Sequence, residues 1–269
     1  MFDNLFSLKG RTAVVTGGSR GIGKAMTKAL LAYGAQRVYI TARKAPACDA
    51  TAKELTALGL GECVSLPCDL SNMDGVRKFA DALAARESRL DILVNNAGAA
   101  WAADFDAFPE NGWDKVVDLN MKTPFFLTKA LAGLLRAGAQ PDRPAKVVNI
   151  ASIDGIFVNP METYPYAASK AGLIHLTRRM AVRLIRDNIV VTGIAPGPFG
   201  SDMNVAARDH ADDVGKRVPL GRIGHDEDIA GAVVYLCSRA GDYVVGSTIA
   251  VDGGIVFGKP GFEGTSWND

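Results

Sequence analysis

Tyr166 and Lys170, in the segment Tyr-Ala-Ala-Ser-Lys, have the side-chain types and the spacing for acid–base chemistry. Four residues apart on a helix, they would lie one above the other on the same face. Tyrosine has an unperturbed pKa of about 10, and a neighbouring ammonium group favours the phenolate and lowers that pKa. If Ser152 holds a substrate oxygen, Tyr166 could deliver or remove the proton that accompanies a hydride transfer. Alone, the Tyr-x-x-x-Lys spacing is also typical of a solvated helix surface.

A glycine-rich segment, Thr-Gly-Gly-Ser-Arg-Gly-Ile-Gly at residues 16–23, follows a short apolar run. Glycines let the backbone turn tightly and approach a pyrophosphate, which the N-terminus of the following helix would bind. The same residues also match G-x-S-x-G, the nucleophile turn of α/β-hydrolases. That alternative fails on position, because the hydrolase turn follows several strands and only one precedes it here. The segment therefore predicts dinucleotide binding.

Apolar runs rich in valine and isoleucine alternate with amphipathic stretches along the chain. The runs predict strands at 12–15, 37–40, 63–66, 92–94, 146–150, 189–194 and 248–251, and the stretches predict helices at 22–33, 50–58, 73–84, 113–135 and 166–186. Continuous apolar strands separated by helices indicate a parallel sheet covered on both faces. We expect one α/β domain over residues 1–269, a doubly wound, Rossmann-type parallel sheet of about seven strands with helices on both faces. The least regular parts are 196–223 and the tail after Gly254.

Composition narrows the class of protein. The net charge of +1, with interspersed signs, gives no footprint for nucleic acid or a membrane surface. The N-terminal residues lack the apolar run of a signal peptide, and no stretch has the length of a membrane span. No metal site is predicted, and reduced thiols in the cytoplasm are expected, because the four cysteines have no paired spacing: Cys48, Cys63, Cys68 and Cys237.

In this order, the motifs resemble the short-chain dehydrogenase/reductase family, of the type with one compact domain. The resemblance covers essentially the whole chain. Within the family the chain looks most like the NADPH-dependent 3-oxoacyl-(acyl-carrier-protein) reductases, including those associated with rhamnolipid and fatty-acid synthesis. The motifs are residues 16–23, Asn-Asn-Ala-Gly at 95–98, Asn120, Ser152, Tyr166 with Lys170, and Pro-Gly at 196–197.

The resemblance implies four catalytic residues. Tyr166 would be the proton donor in reduction and the base in oxidation, while Lys170 would lower the pKa of Tyr166 and bind the nicotinamide ribose. Ser152 would hold the substrate oxygen, and Asn120 would support a water-linked proton path to Lys170. Family members of this size usually form tetramers. We therefore expect a homotetramer, with a dimer as the alternative, that uses the two long predicted helices and the last strand.

The resemblance also implies a set of cofactor contacts. Asp69 would face the adenine, although a helix N-cap is an alternative role. Ser201 stands where the family often has a threonine that contacts the nicotinamide carboxamide. The implied set is Gly17, Ser19, Arg20, Gly21, Ile22, Gly23, Arg43, Asp69, Leu70, Asn96, Ala97, Gly98, Tyr166, Lys170, Pro196, Gly197 and Ser201.

The charge pattern after the second predicted strand favours NADPH over NADH. NAD enzymes place an acidic residue at the end of that strand to hold the ribose 2′-hydroxyl. Here no carboxylate is present, Arg43 follows the strand, and Arg20 lies in the glycine-rich segment. Two guanidinium groups suit a 2′-phosphate, which arginine can bind in a bidentate manner. The alternative is that both arginines are ordinary surface residues.

Candidate substrate contacts are mostly apolar and suggest a bulky or hydrophobic carbonyl compound, although each could equally pack in the core. They are Trp101, Phe157, Met161, Tyr164, Phe199 and Met203. Four arginines on the last long predicted helix could dock an acidic acyl-carrier protein or form a solvated face. They are Arg178, Arg179, Arg183 and Arg186.

We therefore expect an NADPH-dependent reductase that interconverts a ketone and a secondary alcohol, on a 3-oxoacyl thioester or a similar bulky apolar ketone. The alternatives are an alcohol, polyol or steroid dehydrogenase of the same family and a nucleotide-binding protein that has lost turnover. Intact Asn120, Ser152, Tyr166 and Lys170 favour an enzyme.

Overall fold

The computed structural model describes residue 2 and residues 4–258, so the last residues of the glycine- and proline-rich tail lie outside the described part. The seven predicted strands are confirmed, each within two residues of its predicted ends. They form one parallel sheet in the order β3-β2-β1-β4-β5-β6-β7. The strands are β1 (Thr12–Thr16), β2 (Arg37–Thr41), β3 (Glu62–Ser65), β4 (Ile92–Asn95), β5 (Ala145–Ile150), β6 (Ile189–Pro196) and β7 (Thr248–Val251).

Helices cover both faces of the sheet. They are α1 (Gly21–Ala32), α2 (Ala45–Thr56), α3 (Met73–Ala84), α4 (Glu110–Val117), α5 (Thr123–Ala130), α6 (Ala132–Gly138), α7 (Tyr164–Leu184), α8 (Val205–Asp209), α9 (Ala211–Gly215) and α10 (Asp226–Cys237). The predicted helix 50–58 was placed too late, since α2 begins before it with Pro46 in the first turn, a position that suits proline. The segment predicted as least regular contains the short helices α8 and α9.

The predicted helix 113–135 is wrong as a single helix. A π-helical turn, Asp118–Lys122, separates α4 from α5, and a second break at Leu131 separates α5 from α6. Pro124, in the first turn of α5, has no N–H, so it cannot donate to the carbonyl of Asn120 four residues earlier. The π turn therefore widens the helix where Asn120 lies, and such turns are frequent at functional sites.

Alternate positions on each strand pack against the helices of opposite faces. Ala13 and Val15 of β1 belong to the core cluster with α1, α2 and α10. Val14, between them, belongs to the cluster with α3, α5 and α7. The strands are apolar at successive positions because both sheet faces are covered. No helix in the described part is long and apolar enough to cross a membrane.

The strand order reverses beside β1, and the predicted functional segments meet there. In open α/β sheets, ligands bind outside the carboxyl ends of the strands at such a reversal. The glycine-rich segment follows β1, Asn96 follows β4, Ser152 follows β5, and Pro196 ends β6. The topology therefore brings residues distant in sequence to one edge of the sheet.

Candidate active site

Ser152, Tyr166 and Lys170 meet at the carboxyl end of β5. The hydroxyl of Ser152 accepts a hydrogen bond from the Asp154 N–H at 3.2 Å and forms a side-chain hydrogen bond with Tyr166. The turn after Ser152 lies directly on α7. A Cβ at Gly155 would come within 2.6 Å of the Lys170 carbonyl carbon, so only glycine allows this approach. The predicted serine, tyrosine and lysine are therefore brought together.

Lys170 is buried, with 4% of its surface exposed. Its Nζ donates to the Ile150 carbonyl at 2.7 Å and lies 5.6 Å from the centroid of the Tyr166 ring. Burial lowers the pKa of Lys170 to about 8, and the nearby Asp154 carboxylate opposes that change. The ammonium group is thus held by one carbonyl in a poorly solvated corner, where a further acceptor would stabilise its charge.

In the free protein, burial outweighs the other effects on the pKa of Tyr166, and the expected lowering of that pKa by Lys170 stays a prediction. Burial raises the pKa of Tyr166 to about 12; the hydrogen bond from Ser152 opposes this, and the Asp154 charge adds to it. The phenolate of Tyr166 would be a poorly solvated charge, and the Lys170 ammonium group already donates a hydrogen bond to the Ile150 carbonyl. In the free protein Tyr166 therefore carries its proton at neutral pH, which is the state of a proton donor.

Asn120 is held in place by hydrogen bonds to the backbone of Ala99 and to the hydroxyl of Ser169. Its Oδ1 accepts from the Ala99 N–H at 2.8 Å, and its Nδ2 donates to the Ala99 carbonyl at 2.9 Å and to the Ser169 hydroxyl at 3.2 Å. A Cβ at Gly98 would lie 3.2 Å from Asn120 Oδ1 and 3.7 Å from Lys170 Nζ. Asn120 therefore borders the Lys170 corner, while its predicted part in a water-linked proton path stays a prediction.

The glycine-rich segment forms a close-packed cradle with the end of β4. Gly17 has a φ of +67°, and a Cβ at Gly23 would lie 2.3 Å from the Gly17 carbonyl oxygen. Asn96 Nδ2 donates to the Thr16 carbonyl at 2.8 Å, and the Thr16 hydroxyl accepts from the N–H groups of Asn96 and Ala97, both at 2.9 Å. Glycine is thus required here by both backbone conformation and space.

The cradle fits a dinucleotide pyrophosphate. No side chain of a described residue caps the N-terminus of α1, which begins directly after Arg20. Its first N–H groups therefore lack a side-chain acceptor, and such a helix end attracts anions. Of the other predicted contacts here, Ser19 accepts from the Thr51 hydroxyl through its carbonyl at 2.8 Å, and Ile22 packs on the core.

The two arginines predicted at the 2′-phosphate are exposed in this structure. Arg20 forms an ion pair with Asp202, which also pairs with Arg208 at 2.9 Å. Arg43 has no hydrogen bond or ion pair with any residue that the structure describes. Asp202 is a residue that sequence reasoning missed, since nothing in the chain order relates it to the glycine-rich segment. Within the described part, Arg43 is available to bind an anion. Arg20 would have to give up its ion pair with Asp202 to bind one.

The remaining predicted contacts line the same edge of the sheet. Asp69 is exposed and accepts from the Ser71 N–H at 3.0 Å. The N-cap of α3 is Asn72, whose side chain accepts from the Gly75 N–H at 2.9 Å, so the cap alternative for Asp69 is wrong. Leu70 is buried beneath α5, where its carbonyl accepts from the Thr123 hydroxyl at 2.7 Å.

The loop after β6 approaches both the cofactor cradle and β7. A Cβ at Gly197 would lie 2.7 Å from the Asp252 Cα, which fixes the chain as it leaves Pro196. Ser201 accepts from the Asn204 N–H at 3.1 Å, and a Cβ at Gly21 would lie 3.6 Å from the Ser201 Cβ. Ser201 thus lies over the start of α1, and its predicted contact with a carboxamide stays a prediction.

The candidate substrate contacts separate into core and surface. Phe199 is a core residue, since it is 7% exposed and its ring packs on Gly224. Met161, Tyr164 and Met203 are exposed, and Trp101 and Phe157 are half-buried. The four arginines predicted on the last long helix are exposed, in keeping with a solvated face, although Arg186 lies in the 3-10 turn after α7. They are Arg178, Arg179, Arg183 and Arg186.

Comparison with known proteins gives consistent similarities. The profile of a family described as Enoyl-(Acyl carrier protein) reductase matches residues 17–256. The chain is 44% identical over 252 residues to the rhamnolipids biosynthesis 3-oxoacyl-[acyl-carrier-protein] reductase of Pseudomonas aeruginosa, covering 93% of this chain and 97% of the relative. It is 36% identical over 255 residues to the gluconate 5-dehydrogenase of Gluconobacter oxydans, covering 94% and 97%. Among solved structures, the Pseudomonas aeruginosa RhlG/NADP active-site complex matches with a TM-score of 0.90 and 42% identity, over 94% of this chain and 99% of that one.

Proposed function

Because the chain belongs to the short-chain dehydrogenase/reductase family, we propose that it is an NADP(H)-dependent oxidoreductase that interconverts a ketone and a secondary alcohol. The proposed substrate is a 3-oxoacyl thioester or a similar bulky apolar ketone. The observation that carries the proposal is that Ser152, Tyr166 and Lys170 lie together at the carboxyl edge of the sheet. The N-terminus of α1, which has no side-chain cap, lies at the same edge. A catalytically silent nucleotide-binding protein would not need this set of side chains.

In the proposed reduction, the chain's own residues hold the carbonyl and supply the proton, and bound NADPH supplies the hydride. Ser152 donates a hydrogen bond to the substrate oxygen, and Tyr166 transfers its phenolic proton to that oxygen as the carbonyl carbon is reduced. Lys170 stabilises the tyrosinate that remains, since it lies 5.6 Å from the ring centroid. Proton transfer by a positioned group contributes about 10²–10⁴-fold to a rate. In the reverse direction the tyrosinate removes the alcohol proton.

The preference for NADP(H) is supported by charge. Arg43 follows β2, where NAD enzymes place a carboxylate, and it has no ion-pair partner among the described residues. Arg20 flanks the same cradle. A 2′-phosphate would gain charge-assisted hydrogen bonds from either guanidinium. The solved relative in complex with NADP agrees with this choice.

A dehydrogenase that acts on a polyol or sugar acid is the second candidate. It is favoured by the similarity to a gluconate 5-dehydrogenase, which is spread over 94% of the chain. The first candidate is favoured by the higher identity of the 3-oxoacyl relative, 44% against 36%. The apolar side chains Met161 and Met203 are also exposed near the site, where a sugar would call for polar groups.

We further propose that the protein is a homotetramer of the cytoplasm, with a dimer as the alternative. The helices α5 and α7 expose apolar side chains that an interface would cover, namely Phe125, Phe126 and Val182, the last 64% exposed. An acyl-carrier protein is the candidate partner for the first function. The exposed arginines of α7 would offer it a basic surface.

A panel of carbonyl compounds, followed by the absorbance of NADPH, tests this proposal. It compares 3-oxoacyl thioesters with simple ketones, cyclic ketones and keto-sugars at equal concentration. The highest kcat/KM is expected for an apolar 3-oxoacyl thioester. A keto-sugar as the best substrate would favour the second candidate. NADPH binding without oxidation by any member of the panel would favour a silent nucleotide-binding protein.

A further inference from the structure

The short turn after Ser152 carries a carboxylate into the candidate active site. This 3-10 turn, Ile153–Gly155, lies between β5 and the loop before α7. A Cβ at Gly155 would come within 2.6 Å of the Lys170 carbonyl carbon, so the turn packs directly on the backbone of α7. Asp154, in the middle of the turn, donates its N–H to the Ser152 hydroxyl at 3.2 Å. The backbone therefore fixes Asp154 beside the catalytic residues.

The surroundings of the Asp154 side chain favour a charged carboxylate. The side chain is half-buried, and the Asn159 amide donates a hydrogen bond to it at 3.3 Å. Burial raises the pKa of the Asp154 carboxyl, whereas the hydrogen bond from Asn159 and the charge of Lys170 oppose that change. Asp154 forms no direct ion pair with a residue that the structure describes, so its charge acts on Lys170 through space.

Asp154 supplies the counter-charge of Lys170. The Lys170 Nζ donates to the Ile150 carbonyl at 2.7 Å, and this acceptor carries no net charge. The π turn that holds Asn120 also contains a carboxylate, Asp118, but it is partly exposed and pairs with Lys122 at 3.0 Å. An ammonium group in a poorly solvated corner is stabilised by an opposite charge nearby. Among the described carboxylates, Asp154 is the one whose charge raises the pKa of Lys170 against the effect of burial.

The same carboxylate acts on Tyr166. A negative charge near a phenol disfavours the phenolate, and the charge of Asp154 adds to burial in raising the pKa of Tyr166. Tyr166 therefore keeps its proton until a substrate oxygen takes it. The tyrosinate that then forms is stabilised by the Lys170 ammonium group, 5.6 Å from the ring centroid, and that stabilisation requires Lys170 to be charged.

We propose that Asp154 is a positioning residue of this site, whose carboxylate holds the protons of Lys170 and Tyr166 in place in the resting enzyme and so extends reduction to higher pH. The inference rests on the proposed function and adds a charged residue to the four catalytic residues that the sequence predicts. Asp154 acts through Lys170 and Tyr166, and it exchanges no proton with the substrate.

The pH profile of kcat/KM for ketone reduction by Asp154→Asn tests the inference. The substitution keeps the backbone N–H and an oxygen that can accept from Asn159, and it removes the charge. We expect the fall at high pH to begin about half a pH unit or more below its position in the wild type, because Lys170 then loses its proton more easily. Near pH 6, where Lys170 stays protonated in both proteins, kcat/KM should be nearly unchanged.

Two further variants show whether the charge of Asp154 is responsible. Asp154→Glu restores the charge and should return the profile towards that of the wild type. Glu162→Gln removes an exposed carboxylate from the loop before α7 and should leave the profile unchanged. An unshifted profile for Asp154→Asn, an equal loss at every pH, or the same shift in Glu162→Gln would overturn the inference and leave the proposed function intact.

A double-mutant cycle measures the interaction of Asp154 with Lys170 without turnover. In urea titrations at pH 7, without cofactor and at one protein concentration, Asp154→Asn should lower the unfolding midpoint of the wild type. It should lower the midpoint of Lys170→Met less, or raise it, because the carboxylate there has already lost its counter-charge. Equal shifts in the two backgrounds would overturn the inference, whether or not a ketone is reduced. Unequal shifts in a protein that reduces no ketone would support the interaction of the two charges and count against the proposed function.

Discussion

The buried ammonium group of Lys170 should destabilise the free protein by an amount that depends on pH. Burial lowers the pKa of Lys170 from 10.5 to about 8, so the folded state binds this proton more weakly than the unfolded state. The contribution of Lys170 to the free energy of unfolding is therefore most unfavourable below pH 8. It becomes less unfavourable as the pH rises towards the pKa of the unfolded chain. Each tenfold change in proton affinity corresponds to about 1.4 kcal/mol. The buried charge of Lys170 therefore lowers the free energy of unfolding by about 3 kcal/mol at pH 7 and by less than about 1 kcal/mol at pH 10.

Lys170→Met removes the charge while keeping a side chain of similar length. It also leaves the Ile150 carbonyl without its partner, a loss that adds a constant offset at every pH. The quantity to measure is therefore the difference in the free energy of unfolding between variant and wild type, by denaturant titration without cofactor at one protein concentration. We expect this difference to change by about 2 kcal/mol in favour of the wild type between pH 7 and pH 10.

The exposed Lys78 of α3 supplies the matched control, and Lys78→Met should give a difference that is constant with pH. A constant difference for Lys170→Met as well would refute the reasoning. It would mean that Lys170 is as well solvated in the folded protein as in the unfolded chain.

Three further predictions concern cofactor, pH and assembly. Arg43→Ala should lower the preference for NADPH over NADH by tenfold or more, since a charged hydrogen bond contributes about 1.5–3 kcal/mol, and Ala42→Asp should reverse that preference. Asp202→Asn should tighten the binding of NADPH and leave that of NADH unchanged. The Kd values of both cofactors measure all three effects. Equal Kd values for both cofactors in the wild type would make Arg20 and Arg43 ordinary surface residues. In a pH–rate profile, kcat/KM for reduction should fall above about pH 8, where Lys170 loses its proton, and a profile level up to pH 10 would contradict the role of its charge. Sedimentation should show a tetramer, and a monomer at micromolar concentration would reject the assembly.

The positions of the strands could be predicted from sequence because each one is buried on both faces. Runs such as Ala13, Val14 and Val15 are apolar at successive positions, and this signal does not depend on tertiary context. The break around Asn120 could not be read in the same way, because the segment 113–135 is apolar with helical periodicity on both sides of it. Pro124 was the available signal, since proline removes an N–H inside a predicted helix.

The identity of the candidate site residues could be predicted from their motifs, whereas their interactions with residues distant in sequence could not. Tyr166, Lys170 and Ser152 lie where their motifs imply. Burial raises the pKa of Tyr166, and the Ile150 carbonyl accepts a hydrogen bond from Lys170; neither feature has a sequence signal. The pairing of Arg20 with Asp202 likewise joins residues 182 positions apart.

The central claim is that Tyr166 donates the proton in an NADPH-dependent reduction, and Tyr166→Phe tests it most directly. The substitution removes the phenolic hydroxyl and keeps the ring, so NADPH binding measured by fluorescence titration should be nearly unchanged. The rate of ketone reduction should fall by about 10²–10⁴-fold, the contribution typical of a positioned acid. Near-wild-type turnover by this variant, with NADPH bound normally, would contradict the account.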